Sequence, residues 1–245
     1  MFDDKTEIYE TLIDWEKRLA NEAPFYRDWF DRVRARRVLD VACGTGRHAA
    51  MFHSWGLHLE AADLSPGMLR CGRERFGEHV HLRWVERGFD QPVENDEPFD
   101  VALCVGNSLA LAPDMAVVER AVAEMLAAVR SGGIVVIHVL NLWHLPDGPC
   151  HWQKCKHAHL GGEDVTIVKG VHRSGSRGYV DLVVASREHS AEMQTQSVPF
   201  LGIELDELKG ISRRAGATDV HSFGNYRQVP YDRANSEDLI FIAVK

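Results

Sequence analysis

Asp40 and Asp63 each close a short apolar run, and between them lies a turn of small residues, Cys43-Gly44-Thr45-Gly46. Gly44 and Gly46 carry no Cβ, so the turn can take left-handed backbone angles and a ligand can lie against the main chain. A dinucleotide fingerprint would place a third glycine where this chain has Ala49. A carboxylate at Asp40 would repel a pyrophosphate and suits a cationic or hydrogen-bond-donating ligand. Asp63 follows the glycines by about twenty residues, the distance at which an acid ending a second strand accepts hydrogen bonds from ribose hydroxyls. Asn107 and Asn141 follow two later apolar runs, where a neutral amide can orient an amine without protonating it; Asn107 equally suits a turn cap.

Cys150, Cys155, His157 and His159 offer the thiolate and imidazole donors that zinc prefers, but without a paired Cys-x-x-Cys. Their spacing argues against a metal and leaves them as packing residues or as contacts to a substrate. His138 and His144 are either candidate bases or packed histidines. Arg173 and Arg187 are candidate partners for a substrate carboxylate, or solvated strand residues.

These residues need a scaffold, and the hydrophobic pattern supplies one. Helical spacing predicts a helix over Thr6 to Ala23, a second restarted at Pro24, and the basic run Arg34 to Arg37 as its end. Strands follow at Val38 to Asp40, Leu57 to Ala62, Val80 to Val85, Phe99 to Val105 and Ile134 to Leu140, with helices at Arg47 to Trp55, after Ser65-Pro66, and at Asp114 to Val129. Five alternations of strand and helix predict a doubly wound, mostly parallel α/β sheet, whose ligands lie at the carboxyl ends of the strands. The pattern breaks after Asn141. Strands are expected at Val165 to Val171, Tyr179 to Ser186 and Ser190 to Val198, an antiparallel insertion, before a helix at Glu204 to Ala215 and a closing pair at Thr218 to Phe223 and Leu239 to Val244.

With 45% apolar and 26% charged residues, the composition is that of a globular chain with a substantial core. A formal charge of −8 argues against nucleic acid and anionic membranes as partners. The acidic start, Met1 to Lys5, lacks a signal core, and five scattered cysteines suit a reducing compartment, so a cytoplasmic protein is expected.

The run Leu39-Asp40-Val41-Ala42-Cys43-Gly44-Thr45-Gly46 resembles the first motif of class I S-adenosylmethionine-dependent methyltransferases. Asp63-Leu64-Ser65-Pro66-Gly67-Met68-Leu69 is similar to their second-strand phrase. Cys104-Val105-Gly106-Asn107-Ser108 is similar to the fourth-strand motif of the glycine and sarcosine N-methyltransferases. Asn141 falls where that group has an asparagine past strand five, and Tyr26 where it has a tyrosine in its N-terminal cover. The resemblance spans most of residues 5 to 145; the group's substrate-binding arginine finds no match beyond Asn141.

The resemblance implies a seven-stranded sheet in one methyltransferase domain, 1–245, with an N-terminal helical cover at 1–35 and a substrate-side β insertion at 145–200. It implies S-adenosyl-L-methionine as methyl donor, released as S-adenosyl-L-homocysteine, held by Asp40, Ala42, Gly44, Gly46, Arg47, Asp63, Leu64, Met68, Gly88, Phe89, Asp90, Val105 and Gly106. Asn107, Asn141 and Tyr26 are the implied residues at the acceptor, a small molecule methylated on an amine or amino-acid nitrogen. Methylation of oxygen, sulfur or carbon, and donor binding without turnover, are the alternatives. A homo-oligomer is compatible with all of these.

Overall fold

Apolar runs without polar interruption become strands covered on both faces, and the centre of this molecule is built from them. In the computed structural model, residues 6–94, 96–160, 162–187 and 193–245 are described. β1 (Arg37–Asp40), β2 (His58–Asp63), β3 (Leu82–Glu86), β4 (Phe99–Cys104) and β5 (Val129–Leu140) are parallel, and β10 (Asp219–Phe223) and β11 (Asp238–Val244) join as an antiparallel pair. The order is β10-β11-β5-β4-β1-β2-β3, the expected seven-stranded doubly wound sheet. Alternate residues serve opposite cores. Leu239 and Phe241 face the layer of α5 (Met115–Ala128) and α6 (Leu205–Arg214), while Ile240 and Ile242 face the aromatic layer of Phe25, Tyr26, Trp29 and Phe52. Each such side chain contributes about 1.5–3 kcal/mol by burial.

The remaining core helices are α3 (Arg47–Ser54) and α4 (Pro66–Phe76). Ser65 caps α4 by accepting from the Met68 amide at 3.2 Å, with Pro66 in the first turn, as expected. Ser131-Gly132-Gly133, between the expected helix and strand, forms an irregularity inside β5, whose register against β4 shifts between Phe99 and Val101. Gly133 packs so tightly there that a Cβ would lie 2.7 Å from the Asp100 carbonyl oxygen.

The N-terminal helices divide elsewhere than the sequence suggested. α1 (Thr6–Leu12) stops before Asp14, whose side chain accepts from the Lys17 amide at 3.2 Å to start α2 (Trp15–Arg32). Pro24 lies inside α2. A mid-helix proline costs about 3 kcal/mol, and here burial of Phe25, Tyr26, Trp29 and Phe30 just beyond it offsets the loss. The basic run is not the helix end but the approach to β1: the Arg36 and Arg37 amides donate to Asp100 Oδ2 at 2.7 and 2.9 Å.

The insertion is a four-stranded antiparallel sheet in the order β6 (His151–Leu160), β7 (Glu163–Ser174), β8 (Arg177–Ser186), β9 (Met193–Leu201). β6 was not foreseen, and the start of the expected third strand, Ser190 to Glu192, lies outside the described residues, as does Met1 to Lys5. Leu12 of α1 packs with Val165, Ile167 and Leu182 on the sheet's inner face. Lys154 and Lys156 of β6 donate to the Leu12 and Thr11 carbonyls at 3.0 and 2.8 Å, where cations satisfy the open end of a helix. Among the described residues, no helix is long and apolar enough to cross a membrane.

Candidate active site

β1 delivers Asp40 to the carboxyl edge of the sheet, and the glycine turn carries the chain from there into α3. Gly44 and Gly46 have φ of +55° and +75°, and a Cβ on Gly46 would lie 2.1 Å from the Trp84 ring. Gly46 is therefore required for packing and turn geometry, and it does not line the cleft. Asp63, at the end of β2, accepts from the Gly44 amide at 2.7 Å and from the Ser65 amide at 2.9 Å. These bonds aim its carboxylate and tie the turn to the second strand.

The cleft above these strand ends has a volume of about 680 Å³, in the range of small-molecule sites. Its floor is acidic. Asp40 is 1% exposed, and neither of its oxygens has a hydrogen-bond partner among the described residues, the nearby Ala42 amide being only a weak stabiliser. Burial, with the charge of Asp63 added, pushes its carboxyl up to about 8. A buried carboxylate without a partner is costly, and the group that would satisfy it is a cation or a cluster of N–H donors. On one side, Leu64, Met68, Phe89 and Val117 form an apolar wall, with Leu64 69% exposed beside the opening. Tyr9, Trp15, Arg18 and His48 line another part of the cleft, brought there by α1, α2 and α3.

Of the residues expected at the donor, Asp40, Ala42, Gly44, Asp63, Leu64, Met68, Gly88, Phe89, Asp90, Val105 and Gly106 all line this cleft. Asp90 also pairs with Arg120 at 3.1 Å. Arg47 does not line it. Its guanidinium is held by Glu10 of α1, which also accepts from Thr45 Oγ1 at 2.5 Å and pairs with Arg75. Glu10 thereby latches the N-terminal cover onto the glycine turn.

The three residues expected at the acceptor are engaged elsewhere. Asn141 spends both amide hydrogens on the Arg233 and Ser236 carbonyls, at 2.8 and 2.7 Å, and its oxygen accepts from the Trp143 amide at 3.2 Å. This side chain straps the 233–236 loop to the end of β5 and has no donor left for a substrate. Asn107, at φ +70°, accepts from the Leu140 amide at 2.9 Å and joins β4 to β5. Tyr26 is fully buried, its hydroxyl 3.3 Å from that of Tyr226, which lies 3.1 Å from His138 Nδ1. None of the three lines the cleft, and neither do His138 and His144.

Sequence reasoning missed Trp15, Arg18 and His48. Arg18 donates from Nε to Glu22 Oε1 at 2.7 Å, and Glu22 Oε2 lies 2.7 Å from His48 Nε2. The i,i+4 spacing of Arg18 and Glu22, on a helix otherwise rich in aromatics, was the available signal.

The sheet order, with an acid and a glycine turn at the end of β1 and a second acid at the end of β2, is the architecture of class I S-adenosylmethionine-dependent methyltransferases. A family model described as a methyltransferase domain matches residues 38–133. The glycine/sarcosine N-methyltransferase of Parasynechococcus marenigrum (strain WH8102) is 26% identical over 248 aligned residues, covering 99% of this chain and 83% of that protein. A S-adenosylmethionine-dependent methyltransferase from Clostridium acetobutylicum superposes with a TM-score of 0.76 at 13% identity over 99% of this chain and 98% of that one. The sugar N-methyltransferase KedS8 from Streptoalloteichus sp ATCC 53650 gives 0.72 at 22% identity over 93% and 87%. The protein is thus an S-adenosylmethionine-dependent methyltransferase of class I, and it resembles the glycine/sarcosine N-methyltransferase group.

Proposed function

We propose that the enzyme methylates the nitrogen of a small amine or amino acid. The observation that carries this reading is the likeness to a glycine/sarcosine N-methyltransferase along nearly the whole chain, insertion included. S-adenosylmethionine, when bound, supplies a sulfonium-activated methyl group for in-line displacement. Asp63 accepts from the donor's ribose hydroxyls, Leu64, Met68, Phe89 and Val117 enclose the adenine, and Asp40 answers the donor's cationic end. Arg18, whose Nη2 would be 3.4 Å from a Cβ on Gly106, is placed to bind the donor's carboxylate.

The protein's remaining task is to align the acceptor and exclude water. Trp15 and Tyr9 close the cleft with aromatic surface. Lys169, on the inner face of the insertion and outside the cleft lining, is pushed down to about 8 by burial and by the charges of Lys154 and Arg18. No carboxylate pairs with it among the described residues, so an acceptor carboxylate suits this corner. In this proposal the insertion at 145–200 selects the acceptor through Lys169 and through α1, which rests on it.

Incubating the enzyme with labelled donor and a panel of amino acids, small amines, thiols and phenols tests the reading, with mass spectrometric fragmentation locating the methyl group. Transfer to nitrogen is expected. Transfer only to oxygen or sulfur would overturn it, and no turnover on any acceptor would favour donor binding without catalysis. Asp63→Ala is expected to weaken donor binding by more than about tenfold, since one charge-assisted hydrogen bond contributes roughly 1.5–3 kcal/mol. Equal affinities of the two forms in calorimetric titration would remove the ribose assignment.

A further inference from the structure

The thiol and imidazole groups concentrated at 150–159 separate in the fold. Cys155 is exposed on β6, His157 Nδ1 pairs with Thr166 Oγ1 at 3.0 Å, and His159 Nδ1 with Asp164 at 3.0 Å. Cys150 behaves differently. It immediately precedes β6 and meets His172 of β7 and Asp181 of β8, one ligand atom from each lying within 4.8 Å of the others. His172 Nδ1 is 2.7 Å from Asp181 Oδ2, and the Cys150 sulfur lies beside the same pair.

Strand register produces this meeting. Gly170 and Asp181 are directly paired across β7 and β8, and His172 is two residues along the same face. A Cβ on Gly170 would lie 2.3 Å from Cys150 Sγ, so the sulfur occupies the space that a side chain there would fill. The His172 ring is stacked on Tyr179 at 4.8 Å with 12° between planes, which fixes its orientation. His172 and Asp181 are 24% and 19% exposed, so an ion can reach them and a water can complete the shell.

We propose that Cys150, His172 and Asp181 form a binding site for a divalent zinc-type cation, outside the methyl-transfer cleft. Zinc takes sulfur at about 2.3 Å and nitrogen or oxygen at about 2.0–2.2 Å, so tetrahedral ligands lie roughly 3.3–3.7 Å apart, within the span of this trio. Binding exchanges the thiol proton, released to solvent, for a metal–sulfur bond. One thiolate, one carboxylate and a neutral imidazole neutralise a dication. The ion would fasten the root of the insertion, where Arg173 already donates from Nε to the Leu145 carbonyl at 3.0 Å and pairs with Asp147 at 3.3 Å.

The test uses the full chain stripped with a chelator and titrated with cobalt(II), which reports thiolate ligation by a sulfur-to-metal charge-transfer band. One cobalt per chain, displaced by zinc, is expected, with the band lost in Cys150→Ser and kept in Cys155→Ser. Zinc should raise the melting temperature of the wild type and not of Cys150→Ser. His172→Ala should weaken zinc binding more than the roughly 10–100-fold typical of losing a partner that only supports a ligand. A wild-type titration without the thiolate band would overturn the site whatever the variants do, and so would a band that survives Cys150→Ser or disappears in Cys155→Ser.

Discussion

Asp40→Asn is expected to raise the melting temperature of the donor-free enzyme and to weaken S-adenosylmethionine binding by at least about tenfold at pH 8–9, one pKa unit being worth about 1.4 kcal/mol. The wild-type carboxyl is buried without a hydrogen-bond partner among the described residues and is pushed up to about 8, against roughly 3.9 in an unfolded chain. From about pH 4 to about pH 8 the folded protein therefore holds a proton that the unfolded chain has released. Donor-free stability carries a penalty that grows as pH rises through that window and levels off above it. Asn keeps the shape and removes the ionisation, so its advantage should be largest at alkaline pH. Donor binding runs the other way: a cationic ligand favours the carboxylate, so binding below pH 8 releases a proton and wild-type affinity climbs with pH toward 8. Calorimetric titrations from pH 6.5 to 9, in buffers of different ionisation enthalpy, count that proton directly. A wild-type affinity independent of pH, or an Asn variant that binds as tightly at pH 9, would break the link between this acid and the donor's cationic end.

The doubly wound sheet was legible because its strands are buried on both faces and appear as continuous apolar runs, Phe99 to Cys104 and Ile134 to Leu140 above all. Much of the lining of the cleft was legible for a related reason: Asp40, Asp63, Val105 and Gly106 stand at the ends of such runs. What was not legible depends on long-range partners. β6 lacks apolar alternation because Lys154 and Lys156 point inward to bond the carbonyl end of α1, a use of charge that no local pattern announces. Asn141 stands at a strand end facing the ligand side, yet the 233–236 loop, far along the chain, takes its amide. Arg47 is adjacent to the glycine turn in sequence but is drawn away by Glu10. Arg18 and His48 enter the cleft only because α2 crosses α3, and Glu22 holds both.

Glu22→Ala is accordingly expected to loosen the cover and the cleft together. Glu22 is 3% exposed and bonds Arg18 and His48 with its two oxygens, each at 2.7 Å. Burial lowers the His48 pKa, against the pull of the Glu22 carboxylate 2.7 Å from Nε2, and Arg18 places a cation on the same carboxylate. For Glu22 itself burial acts to raise the pKa, but the His48 hydrogen bond and the Arg18 cation outweigh it and hold the carboxyl down to about 2. Removing one partner of such a buried pair costs about 3–5 kcal/mol, equivalent to a fall in melting temperature of roughly 6–20 °C for a domain of this size. Donor affinity should fall as well, because Arg18 and His48 both line the cleft. Glu22→Gln, which keeps the acceptor for His48 and removes only the charge opposite Arg18, should lie between the two. Because the folded pKa is depressed, the wild-type advantage over Gln is full above about pH 4.5 and fades as pH drops toward 2. Thermal unfolding of the three proteins between pH 3 and 7 measures this convergence, and an Ala variant that melts with the wild type at pH 7 would show that the carboxylate does not join α2 to α3.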